Sequence, residues 1–213
     1  MKTNNNLKGL IFDLDGVLVS TEHNHFLAWQ KTARLLGIDF SEKENENLKG
    51  ISRVDSLRHI LKLGNTVVSD REFNELLEFK NESYIESIKA LSQQNCLKGV
   101  VTTLINAKEK GLKLAVGSSS KNAKHILKLI EIEEFFDVVI DGNMVENLKP
   151  NPEVFLKAAE ELGLETSDCL VFEDASSGIQ AAKAGGFTAV GVGNENIKEL
   201  ADLYFNDLTE FTF

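Results

Sequence analysis

Asp13 and Asp15 stand two residues apart in the stretch IFDLDGVLV (residues 11–19), where an apolar run gives out. Side chains two apart on an extended chain share a face. Two carboxylates meeting there repel each other and resist desolvation unless a cation or a shared proton offsets the charge. The plainer alternative is a turn, because Asp15-Gly16 between hydrophobic runs is also a strong hairpin signal. Other segments carry complementary groups. GSSSKN (117–122) places Ser118, Ser119, Ser120, Lys121 and Asn122 at the start of a helix, where hydroxyls and backbone amides can receive an anion. LKP (148–150) supplies Lys149, and EDASSG (173–178) supplies Glu173 and Asp174. Asp13, Asp15, Glu173 and Asp174 are hard oxygen donors suited to Mg²⁺, which is often completed by a substrate phosphate.

Together these groups suit phosphoryl transfer. A lysine and Mg²⁺ neutralise the phosphate while a carboxylate attacks phosphorus, so catalysis is positioning plus charge stabilisation. Asp13 is the better nucleophile, since it closes the strand and the metal holds it ionised. Asp15 then carries a proton, with a pKa raised by its neighbour. Each segment has an ordinary reading as well: Asp174 and Ser120 as helix N-caps, Lys121 and Lys149 as solvated charges.

The elements that must position these residues follow from periodicity. Residues 7–12 read as a buried strand. Residues 21–91 read as helical throughout, with Phe26, Trp29, Ala33 and Leu36 at helical spacing before Gly37. Three capping boxes are expected, Ser41 with Glu44, Ser52 with Asp55 and Ser69 with Glu72, and Gly50 and Gly64 are plausible helix ends. From about Leu97 the pattern alternates: helix 102–110, strand 113–117, helix 121–130, strand 136–140, helix 152–162, strand 169–173, helix 175–184 and strand 188–192. Such alternation predicts an α/β fold, a Rossmann-like parallel sheet covered by helices on both faces. The block at 20–92 is then an inserted all-helical cap, with the core made of 1–19 and 93–213. In such sheets ligands bind beyond the carboxyl ends of the strands. Asp13, Ser118, Asp141, Lys149, Glu173 and Asp174 all fall at that edge.

Composition narrows the function further. The 213 residues are 42% apolar and 26% charged, as in an ordinary globular protein, and the formal net charge of −10 argues against a nucleic-acid partner. Cys96 and Cys169 lie far apart without metal spacing and fit a reducing compartment. The first residues, MKTNNNLKG, lack the apolar stretch of a signal peptide, and no run approaches a membrane span. A cytoplasmic monomer acting on a small molecule is expected, with neither nucleic acid nor membrane as partner.

FDLDGVL, GSSS, LKP and VFEDASSGIQAAKAGG, in that order, resemble the four motifs of the haloacid dehalogenase superfamily. Within it, TEHNHFLAW (21–29), LKGISRVDSL (48–57) and EFKNESY (78–84) resemble the β-phosphoglucomutase branch. The resemblance implies an aspartyl-phosphate on Asp13, with Asp15 as general acid and base. It implies Mg²⁺ on the Asp13 carboxylate, the Asp15 carbonyl and Asp174, with Glu173 bound to the metal or standing behind it. Ser118, the Ser119 amide and Lys149 would hold the transferred phosphate. Arg53, Ser120, Lys121 and Asn122 would hold a second phosphate, while His25, Trp29, Lys49, Gly50 and Lys80 would face the sugar or the hinge. The implied reaction interconverts β-D-glucose 1-phosphate and D-glucose 6-phosphate through β-glucose 1,6-bisphosphate. A sugar-phosphate phosphatase and, more distantly, a phospho-accepting receiver module are the alternatives. On pattern alone Trp29 reads as cap core, Arg53 as a solvated helix position and His25 as a packed ring; His23, His59 and His125 are given no role. Two departures stand out: Ser20, where the family often has an acid, and VENL (145–148) before Lys149.

Overall fold

Among the described residues six parallel strands form one sheet in the order β3-β2-β1-β4-β5-β6. The computed structural model describes residues 7–48 and 51–212. Two compact units result, one from the chain up to Ser20 together with Leu91 onward, the other from Thr21–Ala90.

In the first unit β1 (Gly9–Phe12) is buried along its whole length and lies between β2 (Lys113–Gly117) and β4 (Cys169–Glu173). Strands buried on both faces need continuous rather than alternating apolar residues, which is how LIF, LAV and VF read. β3 (Val138–Ile140), β5 (Thr188–Val192) and β6 (Leu203–Phe205) extend the sheet at its two sides. The crossovers are α5 (Val100–Glu109), α6 (Ala123–Leu129), α7 (Glu153–Leu162) and α8 (Ser176–Ala184). Ile11, Ala115, Phe155, Val171 and Ala181 belong to one buried cluster between sheet and helices. Val19 bridges Cys96 where the chain leaves this unit and returns.

The sequence reading misses β6, whose three residues are only partly buried. Two expected N-caps also move. Asn122 precedes α6, while the Ser120 hydroxyl accepts from the Asn122 amide (3.3 Å). Ala175 precedes α8, and the amides of Asp174 and Ala175 are taken by Glu173, so Asp174 caps nothing there.

The second unit contains α1 (Glu22–Leu35), α2 (Glu42–Glu46), α3 (Arg53–Leu63) and α4 (Asp70–Ile88). Phe26, Trp29 and Ala33 of α1 join Leu57, Ile60 and Leu76 in its core. The boxes at Ser41–Glu44 and Ser69–Glu72 close in both directions. At Ser52 only half a box forms: its hydroxyl accepts from the Asp55 amide (3.1 Å), but the shorter aspartate bonds that hydroxyl (2.6 Å) instead of reaching the backbone. Gly64 ends α3 as expected, whereas Lys49 and Gly50 lie outside the described residues. No described helix is long and apolar enough to cross a membrane.

Candidate active site

Register places the centre of the site. Phe12 is level with Val116 on β2 and with Phe172 on β4, so the next residues, Gly117, Asp13 and Glu173, lie side by side at the carboxyl edge. The Asp13 amide extends the ladder by one bond to the Phe172 carbonyl (2.9 Å). Lys149 then joins all three strands: its ammonium donates to Asp13 Oδ1 (2.5 Å), Glu173 Oε1 (2.7 Å) and the Gly117 carbonyl (3.0 Å). It also stands 4.5 Å from the Phe155 ring centre, a cation–π contact from α7. Burial alone would lower its pKa, but the charges and hydrogen bonds of Asp13 and Glu173 more than offset this and raise it. The solvated-loop reading of Lys149 is therefore wrong: its side chain is 7% exposed.

Asp13, Glu173 and Asp174 bring carboxylate oxygens within 4.8 Å of one another. Burial pushes Asp13 well above the ordinary carboxylate range; Lys149 pulls it back, and the charges of Glu173 and Asp174 push it up again. Asp174 is pushed up to about 7, first by burial and then by Glu173 and Asp15. Crowded hard oxygen donors whose negative charge is undercompensated are suited to a small divalent cation, so these residues fit Mg²⁺. Glu173 is the most engaged of them. Oε1 faces Lys149, while Oε2 accepts the amides of Asp174 (3.0 Å) and Ala175 (3.1 Å). That arrangement suits a group that fixes the lysine and the turn beneath Asp174. Gly178 permits it, since a Cβ there would lie 1.8 Å from Glu173 Oε1.

Strand alternation does not place Asp15, because β1 ends at Phe12. Asp15 lies on a tight loop in which Gly16, at φ +81, donates to the Val19 carbonyl (2.8 Å). A Cβ on Gly16 would meet Asp174 Oδ2 at 1.9 Å, so the loop can lie against that carboxylate only as glycine. No hairpin follows, for β1 pairs in parallel on both sides. Asp15 acts on the cluster through its charge on Asp174.

The loop after β2 is stitched by its own hydroxyls. Buried Ser118 accepts the Ser120 amide (3.1 Å), and the Ser120 carbonyl accepts the Gly142 amide (3.2 Å). Ser119 and Lys121 are exposed, and Ser120 and Asn122 half-buried. Buried Asp141 serves a local turn, its Oδ1 accepting the Asn143 amide (2.8 Å). Asn194, which the sequence reading passes over, lies two residues beyond β5 and donates to the Asp174 carbonyl (2.8 Å). Phe155 is the other omission; each faces the site through a partner that pattern does not reveal.

In the second unit Leu76, Lys80, Tyr84 and Ile88 form the buried stripe of α4, and Lys80 is 3% exposed. Its ammonium lies 2.8 Å from His25 Nδ1, 5.0 Å from the Trp29 ring centre and 4.8 Å from that of Tyr84. Three of the expected sugar-facing residues, His25, Trp29 and Lys80, thus form one group. Arg53, the first residue of α3, is half-buried, and its charge reaches His25. Burial lowers the His25 pKa well below the ordinary value, and Lys80 and Arg53 lower it further. On acidification through about pH 6.5 the unfolded chain therefore takes up a His25 proton that the folded one does not, and stability falls. Urea unfolding at roughly pH 7.5 and 5.5 should show His25→Asn losing less stability than wild type over that interval. Equal losses would rule out this contribution.

The chain matches the family model for haloacid dehalogenase-like hydrolases over residues 10–192. It is 39% identical over 208 residues to a β-phosphoglucomutase of Bacillus subtilis, spanning 97% of this chain and 92% of that one. A phosphorylated-carbohydrate phosphatase of Thermotoga maritima is 32% identical over 190 residues, 86% of this chain and 84% of that one. The crystal structure of a β-phosphoglucomutase from Clostridium difficile superposes with a TM-score of 0.90 at 38% identity, covering 97% and 94% of the two chains. With the sheet order and the strand-edge carboxylates already described, this settles the family: the chain belongs to the haloacid dehalogenase-like hydrolases.

Proposed function

We propose that the protein is a Mg²⁺-dependent phosphotransferase that interconverts β-D-glucose 1-phosphate and D-glucose 6-phosphate through β-glucose 1,6-bisphosphate. The observation that carries the chemistry is Lys149 bound at once to Asp13 and Glu173, with Asp174 beside them. The named sugar-phosphate mutases that align over nearly the whole chain support the substrate. Free thiols at Cys96 and Cys169 suit a cytoplasmic enzyme.

Mg²⁺ on the carboxylates of Asp13 and Asp174 and the carbonyl of Asp15 would neutralise phosphate oxygens. Lys149 and Ser118 hold the phosphoryl group, with the Ser119 amide. Starting from the bisphosphate, an Asp13 oxygen forms the new bond to phosphorus as the ester bond to the C1 oxygen breaks, and Asp15 delivers its proton to that oxygen, releasing glucose 6-phosphate. In the second half the 6-hydroxyl of an incoming β-glucose 1-phosphate attacks the aspartyl-phosphate, the Asp13–phosphorus bond breaks, and the hydroxyl proton passes to Asp15, which restores the bisphosphate. Arg53, with Ser120, Lys121 and Asn122, takes the phosphate that is not being transferred. A guanidinium suits that task because it can hold phosphate through two parallel bonds. His25, Trp29, Lys49, Gly50 and Lys80 are assigned to the sugar or the hinge.

Relatives named as phosphatases make hydrolysis the second reading. Supplying β-glucose 1-phosphate with a trace of bisphosphate separates the two: glucose 6-phosphate appears for the mutase, free phosphate without it for the phosphatase. Arg53→Ala should cripple that isomerisation and weaken bisphosphate binding by roughly 1.5–3 kcal/mol, the size of a charge-assisted contact. Hydrolysis of acetyl phosphate, which has a single phosphate, should change little. Equal loss on both substrates would show that Arg53 serves folding instead.

A further inference from the structure

The segment just before Lys149, VENL (145–148), is held in place by its neighbours. Glu146, Asn147 and Leu148 are exposed, so apolar packing does not fix this stretch. Hydrogen bonds from α7 do. Glu153 Oε1 accepts the amide of Glu146 (2.9 Å), and Oε2 accepts both the amide (2.9 Å) and the side-chain nitrogen (3.0 Å) of Asn147. One turn further on, Lys157 donates to the Met144 carbonyl (2.6 Å) and lies 3.2 Å from Glu153 Oε1. Between them on the same helix is buried Phe155, the ring beside the Lys149 ammonium. The helix therefore grips the backbone two residues before the lysine and also touches the tip of its side chain.

We infer that Glu153, assisted by Lys157, is a positioning residue for Lys149: the pair clamps residues 144–147 and so fixes where the ammonium can reach. Lys149 must meet acceptors on three strands at once, and misplacement by about 1 Å is enough to cost on the order of 10²-fold in rate. A carboxylate receiving two amides stays ionised throughout the working range; the Glu153 pKa is lowered to about 2, chiefly by those amides. The inference rests on the reading that Lys149 holds the transferred phosphate.

The test measures orthovanadate binding to the full-length protein in excess Mg²⁺, for wild type, Glu153→Gln, Lys149→Ala and the double variant. A glutamine presents one acceptor oxygen where two are needed, so Glu153→Gln should bind vanadate roughly tenfold more weakly with Mg²⁺ affinity unchanged. In the Lys149→Ala background the same substitution should add no further loss, as expected for a residue that acts through the lysine. Lys157→Met should follow the same pattern with a smaller loss, and decides the matter if Glu153→Gln does not fold. An undiminished affinity, or equal losses with and without Lys149, would overturn the inference while leaving the phosphate site intact. Failure of wild type to bind vanadate would overturn the phosphate reading, and this inference with it.

Discussion

Asp13→Asn protein should show no measurable turnover of β-glucose 1-phosphate and carry no covalently bound phosphate. Asparagine keeps the shape of the side chain at the end of β1 but has no carboxylate oxygen to form an acyl phosphate. Its neighbours should remain in place, because Lys149 keeps its bonds to Glu173 and to the Gly117 carbonyl. Asp13 is one of three crowded carboxylates, so removing its charge relieves repulsion toward Glu173 and Asp174. The variant should thus unfold at a temperature no lower than wild type in the absence of Mg²⁺, which separates a lost nucleophile from a lost fold. The decisive measurement supplies labelled acetyl phosphate, quenches in acid and counts label that hydroxylamine releases. Label retained on Asp13→Asn would place the nucleophile elsewhere.

What the sequence makes legible here is local, and what it hides is mostly register. The boxes at Ser41 and Ser69 can be read because both partners lie within one turn. The strand interiors can be read because a parallel sheet demands continuous apolar residues. That Asp13, Gly117 and Glu173 stand level, with Lys149 bonded across them, depends on pairings between residues more than a hundred positions apart. No spacing rule contains that. Phe155, Asn194 and Glu153 have partners much nearer in sequence, Lys149, Asp174 and Glu146, but each pair closes across irregular chain whose course no periodicity fixes. The expectation that Asp13 and Asp15 share a strand face is wrong in its premise, since β1 ends at Phe12 and Asp15 already lies on the loop where Gly16 takes φ +81. Lys80 is the converse case. The stripe Leu76, Lys80, Tyr84, Ile88 repeats every four residues, and a lysine inside an apolar stripe signals a buried cation from pattern alone.

Asp15→Asn separates the acid–base role from the metal role. The resemblance assigns the metal only the carbonyl of this residue, and an asparagine keeps that carbonyl and the tight loop closed by Gly16 and Val19. Mg²⁺ affinity, measured by calorimetry, should therefore stay within a few-fold of wild type by the same logic that makes Asp174→Ala lose it. Turnover of β-glucose 1-phosphate should fall by roughly 10²–10⁴-fold, the usual loss when a positioned proton carrier is removed. Acetyl phosphate sharpens the test, because acetate departs without needing a proton. Asp13 should still be phosphorylated by it in the Asp15→Asn protein, while passage of the phosphoryl group to a sugar hydroxyl, which must shed a proton, should be slow. A variant that takes up label from acetyl phosphate yet fails to hand it to glucose phosphate would locate the defect in the proton and not in the metal. Loss of Mg²⁺ affinity as large as that of Asp174→Ala would instead show that the Asp15 side chain belongs to the metal site.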